Sequence, residues 1–155
     1  MNVFFHFLFN YLFIYVFFGH AWDYILIIFI SSVLIDFTHL PYLFRIRKGI
    51  IRKRFGAESR TRFHELYGLI LFSALLCIFY FFMDKMAVEI AAMCIVLHFA
   101  VDFLAGKSMP FYPYSKKEVF IHMFPYGYRN KIFFEILCTV FLGVLFWLVT
   151  ANLTL

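Results

Sequence analysis

Five long apolar stretches dominate this chain and leave it almost nothing polar to turn toward water. They run over about 3–18, 24–44, 65–83, 86–105 and 132–152. Each is close to the roughly 20 residues that a helix needs to cross a hydrocarbon core, the first being the shortest. Hydrophobic residues make up 65% of the 155, aromatic residues 24%, so a soluble surface cannot be assembled from what remains. A β-barrel would alternate polar and apolar positions, and these runs are continuous. The expected fold is therefore all-α: one membrane-embedded domain over residues 1–155, a polytopic integral membrane helical bundle of about five transmembrane helices, four being the alternative count. Cys77, Cys94 and Cys138 each fall inside an apolar run, which argues for packed thiols over a disulfide framework.

The connections carry the charge. Residues 45–62 form a basic loop with eight positive side chains (Arg45, Arg47, Lys48, Arg52, Lys53, Arg54, Arg60 and Arg62). Residues 106–131 form a longer loop with five more, and only Lys85 lies elsewhere. Five spans put these two loops on one side, which the positive-inside rule makes cytosolic. The expected location is the inner or plasma membrane, multi-pass, with the N-terminus cytosolic and the C-terminus outside. A cleavable signal peptide competes for the first span, because Gly19-His20-Ala21 looks like a cleavage site. No Lys or Arg precedes that run, however, and it is long for such a segment. Membrane lipids are the expected surroundings, and the basic loop can attract anionic headgroups or an anionic substrate. Nucleic acid is not an expected partner, and the sequence does not reveal the oligomeric state.

Against this apolar background, a few ionisable residues stand out. Asp36 and His39 are spaced i, i+3 near the inner end of the second run; His98 and Asp102 are spaced i, i+4 near the inner end of the fourth. Each pair shares a helix face. His64 begins the third run, and His6 lies near the start of the first, with Asn10 at i+4. The topology brings all six of His6, Asp36, His39, His64, His98 and Asp102 to one depth at the cytosolic face. Carboxylates inside hydrocarbon must be neutralised or paired, and with His on the same faces a divalent cation is an economical partner. His6 taken alone reads as an interfacial hydrogen-bonder. Glu65 and Glu89, at run ends, read as solvated. A His/Asp set suits Zn²⁺ first, with Mn²⁺ or Fe²⁺ as alternatives, over the all-oxygen shells of Ca²⁺ and Mg²⁺. The residues suffice for one ion with outer hydrogen-bonding support, or for two ions sharing a carboxylate.

Those residues also carry a resemblance. Phe5-His6, Leu34-Ile35-Asp36-Phe37-Thr38-His39, Arg60-Thr61-Arg62-Phe63-His64 and His98-Phe99-Ala100-Val101-Asp102 resemble, in order, four motifs of the membrane-bound, predicted metal-dependent hydrolases, which include the LexA-regulated inner-membrane hydrolases. These are an N-terminal His, P-D-x-D-H, H-R-x-x-T-H and H-x-x-x-D. The stretch Pro110-Phe111-Tyr112-Pro113-Tyr114-Ser115-Lys116-Lys117 is similar to that family's Pro-aromatic-Ser-Lys loop. The chain departs from the pattern at Ile35, Thr38, Ser59 and Phe63, which stand for Pro, Asp, His and Thr. The resemblance implies a metal-dependent hydrolase.

The leading expectation is a membrane-embedded, divalent-metal-dependent hydrolase with its site at the cytosolic leaflet, acting on a phosphoester or lipid-linked phosphate. Asp36 or Asp102 would serve as general base. Arg60, beside Arg62 and His64, would orient a phosphoryl group and stabilise transition-state charge. Two alternatives need no hydrolysis. Paired histidines such as His39 and His98 can ligate haem, and intramembrane Asp and His can relay protons or metal ions.

Overall fold

The computed structural model describes residues 2–39, 62–115, 117–121 and 128–153 of the chain. Within them the protein is all-helical apart from one short ribbon, with helices where the apolar runs fall. Helix α1 spans Val3–Phe18, α2 Ile25–Val33, α3 Leu66–Phe79, α4 Lys85–Ala105 and α5 Tyr128–Leu153. Single-turn 3₁₀ segments at Asp36–His39 and Arg62–His64 follow α2 and precede α3.

The ends of these helices are set by local chemistry. The Asn2 side chain accepts the Phe5 N–H at 2.8 Å and starts α1, satisfying one of the donors that a first turn leaves open. Gly19 ends it in the left-handed region at φ 73°, its N–H reaching the Tyr15 carbonyl at 3.1 Å, a conformation that glycine adopts without a Cβ penalty. Asp84 starts α4 by accepting the Ala87 N–H at 3.0 Å, and the Tyr24 hydroxyl donates to the same carboxylate at 3.1 Å. That bond ties the start of α2 to the α3–α4 turn.

α2 is shorter than the apolar run that contains it. The Ser32 hydroxyl donates back to the Ile28 carbonyl at 2.6 Å, a local bond that competes with regular helix geometry. Both the N–H and the hydroxyl of Thr38 then converge on the Ile35 carbonyl, at 3.1 and 2.7 Å. The result is the tight Asp36–His39 turn. Residues 40–44, the expected remainder of the second run, lie outside the described residues.

α4 is the hub. It packs against α1, α2 and α3, while α1 also packs on α2 and α5. At one end, Tyr11, Ile14, Ala21, Ile28, Ile90 and Cys94 form a dry core. At the other end the interior is polar: His6, Asn10, Ser32, His64, Glu65, His98 and Asp102 are all buried. Outside, the pattern inverts, with Val16, Leu26, Phe81, Phe82, Phe133 and Trp147 exposed. α5 lies along α1, where Asn2 donates to the Thr139 hydroxyl at 3.1 Å and Phe146 meets the Tyr11 ring at a centroid distance of 4.7 Å. Two helical stretches, Lys85–Ala105 and Asn130–Ala151, are long and apolar enough to cross a membrane. Val3–Phe18, Ile25–His39 and Leu66–Phe79 are shorter apolar segments.

The loop after α4 is anchored. Strand β1 (Lys107–Ser108) pairs antiparallel with β2 (Val119–Phe120), Ser108 opposite Val119. The Glu65 carboxylate accepts from the Ser108 hydroxyl and, at 3.0 Å, from the Met109 N–H. Glu65 is therefore buried at 4% exposure, not solvated as its place at a run end suggests. It joins the start of α3 to the loop beyond α4. All three cysteines are free thiols, on α3, α4 and α5.

Candidate metal centre

Four segments deliver six ligand-type side chains to the polar end of the bundle. His6 comes from the first turn of α1, Asp36 and His39 from the turn after α2, His64 from the turn before α3, and His98 and Asp102 from the last turns of α4. The 3₁₀ turn matters here. With three residues per turn, positions i and i+3 eclipse, so Asp36 and His39 stay on one face although the α-helix has ended.

The six residues form two groups that overlap at one residue. His6, Asp36, His98 and Asp102 offer ligand atoms that all lie within 4.8 Å of one another. Asp36, His39 and His64 do the same. Asp36 belongs to both. The individual separations are short: His6 Nε2 to Asp102 Oδ1 is 3.3 Å, His98 Nε2 to Asp102 Oδ2 3.6 Å, His98 Nε2 to Asp36 Oδ1 3.7 Å, and His64 Nε2 to Asp36 Oδ1 3.6 Å. Two ligands held about 2.1 Å from one ion at a tetrahedral angle stand about 3.4 Å apart. The observed spacing is thus that of atoms which can share a cation, and it exceeds a good hydrogen bond.

Ring stacking fixes the imidazole planes. His6 lies on His98 with centroids 3.8 Å apart and planes 16° from parallel, and His39 lies on His64 at 3.9 Å. His98 is further held by Nδ1, which is 2.9 Å from the Ser32 carbonyl. A carbonyl only accepts, so Nδ1 carries a proton, and in the neutral ring Nε2 is a bare lone pair aimed at Asp36 and Asp102. The Ser32 carbonyl is within reach because α2 gives way to the turn one residue later. Beneath it, Asn10 donates to the Ser32 hydroxyl at 2.8 Å and to the Cys94 carbonyl at 3.2 Å. That layer of polar bonds ties α1, α2 and α4 together one turn below the ligands.

Orphaned atoms complete the test. Among the described residues, both ring nitrogens of His6, Oδ2 of Asp36 and Nε2 of His98 are buried without a hydrogen-bond partner. Buried polar atoms are normally satisfied, and each one left alone carries a cost of about 1–3 kcal/mol. Four such atoms in one small volume, two of the residues imidazoles and one a carboxylate, match the donor set of a divalent transition metal. A His/Asp cluster able to hold a metal ion is therefore a property of this structure.

The residues expected from sequence as ligands all enter one of the two groups. Arg60, expected to orient an anion, lies outside the described residues, as do His122 and most of the basic loop. Sequence reasoning overlooked Thr38 as a contact of His64 and Glu65 as a buried anchor. A hydroxyl or carboxylate beside a ligand was the only available signal, and it does not distinguish inward from outward placement. No protein-family model, curated protein or solved structure matches this chain.

Proposed function

We propose that the chain is a multi-pass inner-membrane protein carrying a two-ion, divalent-metal-dependent hydrolytic centre at its cytosolic face. The observation that carries this reading is the double membership of Asp36, whose carboxylate belongs to both ligand groups. A shared carboxylate is the usual bridge of paired-ion hydrolases. The His/Asp donor set favours Zn²⁺, with Mn²⁺ or Fe²⁺ fitting the same ligands. The apolar outer surface, with polar groups gathered inside at one end, supports immersion in lipid. The charge on the two basic loops favours the cytosolic side for the site and for the N-terminus, with the C-terminus outside.

When bound, the ions would supply Lewis acidity, making water nucleophilic near neutral pH and polarising the bond to be cut. The chain's own residues do the rest. His6, His98 and Asp102 would hold one ion, His39 and His64 the other, and Asp36, common to both groups, could serve either. With Asp36 shared by both groups, Asp102 would hold its ion through one carboxylate oxygen and take the proton of the attacking water with the other. Burial of His6, His64, His98 and Asp102 limits access of bulk water and strengthens their electrostatic interactions. Arg60, in a loop of eight cationic side chains, recruits and orients an anionic group, so a phosphoester of a lipid or lipid-linked molecule is the substrate class.

Purified protein loaded with Zn²⁺ or Mn²⁺ should release phosphate or alcohol from a phospholipid or generic phosphoester, and His98→Ala should reduce that rate at least ~100-fold. Activity that survives His98→Ala would reject the reading. The haem alternative draws no support from this geometry, because His6 lies face to face with His98 at 3.8 Å and His39 rests against His64 at 3.9 Å with planes 32° apart, so these rings already touch where a porphyrin plane would have to enter. Transport draws none either, since the interior beyond Asn10 and Cys94 closes into Ile14, Ile28 and Ile90.

A further inference from the structure

Thr38 stands between two candidate ligands, Asp36 and His39, on the tight turn, and its hydroxyl makes two short contacts. It donates to the Ile35 carbonyl at 2.7 Å and lies 3.2 Å from Nδ1 of His64. A hydroxyl has one proton, and here the carbonyl takes it. Only lone pairs remain toward His64, so Nδ1 must be the donor in that contact. In a neutral imidazole the proton on Nδ1 leaves Nε2 bare, and Nε2 faces Asp36 Oδ1 at 3.6 Å. Two electron-rich atoms at that distance repel unless a second proton on the ring or a metal cation stands between them.

We propose that Thr38 is a positioning residue of the metal centre: it holds His64 in the Nδ1–H tautomer and so presents Nε2 as a ligand to the ion shared with Asp36 and His39. This rests on the two-ion reading and deepens it. The Ser32 carbonyl does the same for His98, so each ion position has one imidazole locked through its remote nitrogen. An outer acceptor on a metal-bound histidine is commonly a carboxylate or carbonyl. A threonine whose proton is already spent performs that task without adding negative charge to a buried site that already contains Asp36 and Asp102.

The test compares wild type, Thr38→Val, Thr38→Ser, His64→Ala and the Thr38→Val/His64→Ala double variant, each in mild detergent. Zn²⁺ affinity is read by chelator competition and coordination by the visible spectrum of the Co²⁺ form. Thr38→Val should weaken one of the two ions about 10–100-fold and change the Co²⁺ spectrum, and Thr38→Ser should recover wild-type behaviour. In the His64→Ala background, Thr38→Val should have no further effect on metal binding, whereas a purely structural role would add its own loss. Equal affinity in Thr38→Val and wild type, or additive effects in the double variant, overturns the assignment while leaving the two-ion centre standing. A wild type that binds no ion removes both. Long-range ¹H–¹⁵N spectra of the wild-type histidines, with His64 identified by its loss in His64→Ala, test the tautomer without any Thr38 substitution. A His64 ring protonated at Nε2 alone contradicts the proposal.

Discussion

Each candidate ligand would contribute through the atom it turns inward. Among the described residues Asp36 alone is common to both groups, so replacing it should cost more than replacing a residue of one group. His39→Ala should leave about one ion per chain, and Asp36→Asn should leave neither bound at micromolar metal, as metal analysis of the purified variants would show. Retention of both ions by Asp36→Asn would mean that the carboxylate does not bridge. At this scale the sequence was informative where physics makes polarity expensive. Asp36, His98 and Asp102 stand out because a charged or imidazole side chain in an apolar run demands a partner. Thr38 and Glu65 do not stand out, because a hydroxyl is tolerated in a helix and a glutamate at a run end looks solvated. The partners of Glu65, Ser108 and Met109, are 43 and 44 residues away along the chain.

Among the elements, the two short 3₁₀ turns do the positioning that regular helices cannot. The turn before α3 depends on a glycine. A Cβ at Gly68 would stand 2.1 Å from the Phe63 carbonyl oxygen and 2.6 Å from its Cα. These are backbone atoms, so the Arg62–His64 turn would have to move. Gly68→Ala should therefore destabilise the fold by about 1–3 kcal/mol, and it should also weaken metal binding, because the displaced segment carries His64. A melting temperature and Zn²⁺ affinity both equal to wild type would show that the close approach is dispensable. The apolar pattern revealed the five α-helices of the described residues and reproduced α1 at its observed bounds. It did not reveal the break after Val33, because Ile, Leu and Phe continue across it. The cause is a local contest: the Ser32 and Thr38 hydroxyls bond to backbone carbonyls, which hydropathy does not register.

For the whole molecule, the arrangement is a bundle with a dry core at one end and a polar centre at the other. That asymmetry follows from connectivity. α1 begins, α2 ends, α3 begins and α4 ends at the same level, so the alternating helix directions collect distant residues into one layer. The proposed orientation makes a direct prediction. In a cysteine-free background, Thr154→Cys should react with a membrane-impermeant maleimide on intact cells, and Lys48→Cys should react only after permeabilisation. The opposite pattern would put the metal centre on the outer face and remove the cytosolic substrate from consideration.

The central claim is that six side chains from four segments hold two divalent ions through a shared Asp36. Mass-spectrometric metal analysis of wild-type protein, purified in mild detergent without chelators, tests it most directly. The account predicts about two ions of Zn, Mn or Fe per chain. A protein that stays metal-free, even after reconstitution with each of these ions in turn, would contradict it.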